Sequence, residues 1–88
     1  MASYAPPPKK PTAWMISQGF RRVRRKTPLR RGGGLRPRWR DAKGNLYEWD
    51  YQHGTLEKYN KRGMHLGEYD PLTGVLLSPA NLTRSINP

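Results

Sequence analysis

The chain of 88 residues has room for one small domain with a thin core, so sheet pairing and a few large side chains, among them three Trp and five Tyr, must hold it together. It has no cysteine, which excludes a disulfide framework, a Cys-type zinc site and a thiol nucleophile, and two histidines alone make a poor metal site; no metal or cofactor is expected. The formal charge of +11 is uneven: residues 1–40 hold twelve Lys or Arg and no acid, whereas residues 41–88 hold five basic and six acidic residues.

That distribution describes a basic arm joined to a nearly neutral folded unit. Such an arm binds RNA, DNA, anionic membranes or acidic proteins through long-range attraction and counterion release; the competing reading is a merely solubilising charge run. No segment approaches the ~20 apolar residues that span a bilayer. The apolar patch Ala13-Trp14-Met15-Ile16 is too short for a signal peptide's hydrophobic region.

In chain order, residues 1–11 carry Pro6, Pro7, Pro8 and Pro11 and read as an extended, polyproline-like lead-in. Residues 12–23 admit a short helix with Thr12 as its N-cap. Residues 24–38 are Arg, Gly and Pro, including Gly32-Gly33-Gly34, and read as a flexible basic loop that orders on a partner. Beyond them, turn signals recur at residues 41–45, 53–54, 60–63, 71–74 and 78–79. The intervening runs, 38–40, 46–52, 55–59, 64–69 and 75–77, alternate with period two. The pattern predicts a mainly β (α+β) fold, a small antiparallel meander of four to five strands in one sheet. The predicted division is an arm over residues 1–31 and a folded domain over residues 32–88.

The stretch from Tyr47 to Tyr59 concentrates the chemistry. If His53-Gly54 is a two-residue hairpin turn, Asp50 faces Glu57 across the strand pair. Glu48, Asp50 and Gln52 then share one face, and Tyr47, Trp49 and Tyr51 the other. Two close carboxylates disfavour each other's ionised form, which makes one of them a base, and His53 can donate or accept a proton beside it. RNA cleavage without metal needs such a base, such an acid and a cation for the charged phosphorane. Spacing alone leaves other readings open: Asp50 and Glu57 as solvated residues paired with Lys58 or Lys61, His53 as a turn residue, the aromatics as packing, and His65 as structural.

A resemblance sharpens this. The runs Gly32-Gly33-Gly34-Leu35-Arg36-Pro37-Arg38-Trp39, Lys43-Gly44, Tyr47-Glu48-Trp49-Asp50, Gln52-His53-Gly54, Leu56-Glu57 and Tyr59 come first. With His65-Leu66-Gly67, Tyr69-Asp70-Pro71, Thr73-Gly74 and Arg84, they resemble the ribosomal-RNA-cleaving cytotoxic domain of the nuclease colicins and cloacin. The likeness covers residues 32–86. It implies a toxin that cuts small-subunit ribosomal RNA at the decoding centre, on a strongly twisted antiparallel sheet with a short N-terminal helix.

Carried onto this chain, the resemblance makes Asp50, His53, Glu57 and Arg84 catalytic: Glu57 as base, His53 as acid, Asp50 tuning His53 and Arg84 holding the phosphate, with the choice of basic carboxylate open. Tyr47 and Tyr59 become active-site tyrosines, and Arg36, Arg38 and Arg40 join them as substrate-binding candidates. The implied partners are the small ribosomal subunit with its RNA and an acidic immunity protein as inhibitor. The implied setting is a C-terminal piece of a larger toxin, delivered by its producer into the cytoplasm of a target bacterium. One departure stands out: the family usually has a Glu where this chain has Thr55, so a third carboxylate is missing. The rival readings are a non-catalytic RNA-binding module, which has no use for Asp50, His53 and Glu57, and a DNase, which needs a His-rich metal motif that the chain lacks.

Overall fold

Turn chemistry at nearly regular intervals sets the architecture. Asp41, Asp50, Asn60 and Asp70 each accept, through Oδ1, the backbone N–H two residues on, from Lys43, Gln52, Arg62 and Leu72, at 2.9, 2.9, 2.9 and 2.7 Å. Asn81 does the same for Thr83. Each side chain stands in for a backbone acceptor and reverses the chain.

The computed structural model describes residues 4–30 and 32–88. It contains a helix α1 (Ala13–Ser17) and strands β1 (Arg21–Arg22), β2 (Arg38–Arg40), β3 (Leu46–Asp50), β4 (Thr55–Tyr59), β5 (His65–Tyr69) and β6 (Leu76–Pro79). The strands form one sheet in sequential order, every neighbour antiparallel. The mainly β meander with a short N-terminal helix is the expected fold. It has a sixth strand because Arg21 and Arg22 pair with Arg40 and Trp39. The turn expected at Ser78-Pro79 is instead the end of β6, paired with Gly67 and Glu68. None of the helices among the described residues is long and apolar enough to cross a membrane.

The helix is shorter than the 12–23 window. Thr12 caps it as expected, its hydroxyl oxygen accepting the Met15 amide at 3.1 Å while donating to the Pro71 carbonyl at 2.6 Å. Gly19, at φ +74°, then turns the chain toward β1. Through Met15 the helix covers one face of the sheet, where Trp39, Tyr47, Trp49 and Leu56 are buried and Trp14, Phe20 and Tyr51 pack against them. Burying each such side chain contributes roughly 1.5–3 kcal/mol relative to leaving it exposed. The alternation that put Tyr47, Trp49 and Tyr51 on a common packing face is realised.

The opposite face is polar, and here the hairpin register differs from expectation. The β3–β4 turn spans four residues, 51–54, so Asp50 opposes Thr55 and Glu48 opposes Glu57. The directly facing Asp50–Glu57 pair does not form. Two buried glutamates are tolerated opposite each other because each has its own positive or hydrogen-bonding partner: Arg38 lies 2.8 Å from Glu48, and His65 and Arg84 attend Glu57.

The basic stretch is also more ordered than a loose loop. Val23 donates to the Arg38 carbonyl, Arg36 to Thr27, and Leu29 to Gly34, at 3.1, 2.8 and 3.0 Å, with Pro28 bridged to Leu35. Residues on both sides of position 31 thus share one core. The lead-in holds neither helix nor strand over residues 4–11, and Ala5 docks on β3 and the turn after it, donating to the Tyr51 carbonyl and accepting the Trp49 indole N–H. Met1, the rest of residues 1–3, and Arg31 lie outside the described residues.

Candidate active site

The polar face opens into a cavity of about 490 Å³ whose lining includes Asp50, His53, Glu57, His65, Glu68 and Arg84. Four elements deliver these groups: the end of β3 with its turn, β4, β5, and the segment after β6. Strand alternation puts Glu48 and Asp50 of β3 on the same face as Thr55 and Glu57 of β4. The last contributor, Arg84, arrives by a different route. Asn81 shapes a turn, His65 donates its amide to the Arg84 carbonyl at 3.2 Å, and Ile86 donates to Gly63 at 2.8 Å. Gly63 has φ +84°, and any Cβ there would sit 2.1 Å from the Ile86 oxygen. Only glycine lets this clamp close.

Asp50 does two jobs. Its Oδ1 accepts the amides of Gln52 and His53 at 2.9 and 3.2 Å, and its Oδ2 lies 2.8 Å from His53 Nδ1. The His53 side chain is 57% exposed, and among the described residues its Nε2 has no hydrogen-bond partner. Burial opposes ionisation of Asp50, but the side-chain and backbone hydrogen bonds from His53, with its charge, hold the carboxyl below the usual range. The Asp50 hydrogen bond and then its charge push His53 above the usual imidazole value, slight burial opposing them and Glu68 and Glu57 adding to them.

Glu57 is buried and its Oε1 is shared: His65 Nε2 lies at 2.7 Å and Arg84 Nη1 at 3.3 Å. Because the Asn81 amide donates to His65 Nδ1 at 2.8 Å, the ring carries its proton on Nε2 and donates it to Glu57; the contact is a hydrogen bond between a neutral ring and a carboxylate. Burial raises Glu57 above the usual carboxylate range, the His65 hydrogen bond and Arg84 charge offsetting part of that while Glu68 and Asp50 add to it. Arg84 also donates to the Tyr59 hydroxyl at 3.0 Å, and its side chain stays 43% exposed. Burial pushes Tyr59 up to about 12, so its hydroxyl stays protonated.

Not every expected residue joins this cluster. Tyr47 lies on the packing face, its hydroxyl donating to Asp41 at 2.9 Å, and burial pushes its phenol far above the ordinary value. Arg38 is 1% exposed and bonds Glu48, Thr27 Oγ1 and the Asn87 carbonyl, so it bolts the arm to the C-terminal segment and cannot face a substrate. Arg36 is half-buried and donates to the Trp49 carbonyl at 2.9 Å, while Arg40 is exposed on β2. Conversely, sequence reasoning read His65 as structural and passed over Glu68 and Asn81. A signal for His65 existed in the run His65-Leu66-Gly67, but its contact with Glu57 depends on a register shift at Lys58/Tyr59 that no local pattern encodes.

Asp50, His53 and Glu68 each place a donor atom within 4.8 Å of the others, the spacing a bound metal ion would need. Those atoms already serve hydrogen bonds: the contacting Asp50 oxygen serves His53, and Glu68 Oε2 accepts the Thr55 hydroxyl at 2.6 Å. The trio is therefore satisfied as a hydrogen-bonded cluster.

The model of the Cytotoxic family matches residues 5–87. The chain belongs to the Cytotoxic family, the colicin-type nuclease toxins. Over 63 residues it is 51% identical to colicin E3 and 49% identical to cloacin, both of Escherichia coli, and 49% identical to colicin-E6 of the same organism. Each match covers 69% of this chain and 11% of the relative, so the chain corresponds to a small part of a much longer protein in each case. The Cytotoxic match reaches back to residue 5, into the arm whose Met15 and Phe20 complete the core.

Proposed function

We propose that this domain is a ribosome-inactivating endoribonuclease that cuts 16S ribosomal RNA at the decoding centre, by attack of the neighbouring 2′-hydroxyl and without a metal ion. The observation that carries this reading is the meeting, around one open cavity, of a buried carboxylate, an exposed imidazole and a half-exposed guanidinium. These are the base, acid and cation that such a transesterification needs. The similarity to colicin E3 and cloacin supports the choice of ribosomal RNA.

Glu57 takes the 2′-hydroxyl proton, which its burial favours. The 2′-oxygen attacks phosphorus, and His53, held cationic by Asp50, gives the proton on Nε2 to the departing 5′-oxygen. The products are a 2′,3′-cyclic phosphate and a free 5′-hydroxyl. Arg84 neutralises the phosphorane that forms between these steps. Asp50, bonded through both oxygens to residues 52 and 53, orients His53, and the raised Glu57 takes the role of base. Tyr59 holds Arg84 in place, and the exposed Arg40 on β2, with the half-buried Arg36, contacts phosphates outside the cavity.

The partners that follow are the small ribosomal subunit and an acidic immunity protein, since a chain of charge +11 favours electrostatically steered capture. The domain acts as the C-terminal toxic part of a longer bacteriocin, released by a producer and active in the cytoplasm of a target bacterium. The test is to incubate purified ribosomes with the protein in EDTA and look for one discrete fragment of small-subunit RNA carrying a cyclic phosphate. Intact RNA at high protein dose sinks the proposal, and cutting that stops in EDTA removes its metal-free part.

A further inference from the structure

Three carboxylates share the cavity with His53: Asp50 on β3, Glu57 on β4 and Glu68 on β5. Two have positive or ring partners of their own, since Asp50 bonds His53 and Glu57 bonds His65 and Arg84. Glu68 differs. Its partners among the described residues are the neutral hydroxyl of Thr55, at 2.6 Å, and His53 Nδ1, 3.6 Å from the same Oε2. The Glu68 side chain is only 16% exposed, so its negative charge is partly removed from water, and the nearest cation able to answer it is a protonated His53. Thr55 fixes the aim. Being opposite Asp50 in register, it directs the Glu68 carboxylate to the edge of the ring that Asp50 already holds.

We propose that Glu68 is a positioning residue for the reaction: together with Asp50 it brackets Nδ1 of His53 between two carboxylates, its own aim fixed from β4 by the Thr55 hydroxyl. The bracket keeps the ring protonated and leaves Nε2 turned outward to the substrate. The inference rests on His53 being the proton donor, as set out under Proposed function. Glu68 also faces Glu57 across β4 and β5 and raises its proton affinity, so one side chain tunes both partners of the proton transfer in the same direction. His65 and Arg84, the remaining titratable groups on the cavity, are committed to Glu57.

The test is an NMR titration of the His53 ring in the full chain, beside the pH–rate profile for ribosomal RNA cleavage. In Glu68→Gln, which can keep the Thr55 hydrogen bond but loses the charge, the His53 midpoint falls and both limbs of the rate profile move to lower pH. One pH unit above the wild-type optimum, cleavage drops about two- to five-fold. Glu68→Asp, which keeps the charge, retains a midpoint closer to wild type. An unmoved His53 midpoint in Glu68→Gln, or equal midpoints in the Asp and Gln variants, overturns the proposal. If Glu68→Gln does not fold, Thr55→Val serves instead: it frees Glu68 from its aim, and the midpoint must again fall. A lowered midpoint with an unmoved rate profile sinks the acid role of His53 and leaves the bracket standing, which separates the two readings.

Discussion

His65 reaches Glu57 with Nε2 at 2.7 Å while its other ring nitrogen accepts the amide of Asn81 at 2.8 Å. A backbone amide two strands away from β4 in chain order thereby decides which nitrogen of the ring is protonated, and the ring in turn keeps a buried carboxylate supplied with a donor.

Removing that ring leaves Glu57 buried with Arg84 as its main support. In His65→Ala the Glu57 proton affinity rises, so the acidic limb of the pH profile for kcat/KM shifts to higher pH. Activity at neutral pH falls by roughly ten- to a hundred-fold, given the ~1–3 kcal/mol of a hydrogen bond to a charged group. Wild-type pH dependence in this variant would show that His65 only packs.

Loss of either proton-transfer group is more severe. Glu57→Ala and His53→Ala should each cut the rate by about 10²–10⁴. Ribosome binding, measured by co-sedimentation, should be retained, because neither residue belongs to the basic arm.

Arg84→Ala should lower cleavage by about 10²–10³ with little change in thermal stability, since the side chain is 43% exposed and Glu57 keeps its His65 donor. Full activity in this variant would remove the phosphate-clamp role.

Arg38 and Arg40 stand two residues apart and should behave oppositely. Arg38→Ala strands a buried Glu48 and should destabilise the domain by about 3–5 kcal/mol, visible as a large drop in Tm. Arg40→Ala should leave Tm unchanged, weaken ribosome binding and flatten its salt dependence.

The Asp50–His53 pair gives a pH dependence of stability with a defined sign. Asp50 is depressed in the fold and His53 raised. The Asp50 contribution is present above its unfolded pKa and lost as pH falls through the folded one. The His53 contribution is present below its unfolded pKa and lost as pH rises through the folded one. The Tm difference between wild type and His53→Ala should therefore be largest between about pH 4 and pH 6.5 and fade on either side.

The parts of the fold that are local in cause were legible. Period-two alternation separated Trp49 and Tyr47 from Glu48 and Asp50, and Asx and Gly residues marked four of the five expected turns. The alternation also placed Tyr47 away from the polar face, where the family resemblance would have had it, and the alternation describes where the residue lies. What was not legible is non-local. The facing of Asp50 and Glu57 failed because an Asp50 side chain that caps residues 52 and 53 makes the turn four residues long, which moves every cross-strand partner by two. Arg38 looked like an RNA contact because its burial requires a particular register with Glu48. The basic stretch looked loose because its bonds run to backbone groups, which no composition reveals.

The repeated Asx turns contain a ready control for the chemistry. At Asn60 and Asn81 an amide side chain closes the same two-residue reach that Asp50 closes with a carboxylate. The chain thus shows at two places that asparagine builds this bend. Asp50→Asn therefore strips the charge from beside His53 and leaves the bend intact, so any change it brings to cleavage reports on the proton-transfer groups beside that charge, His53 first and Glu57 second, and not on the turn.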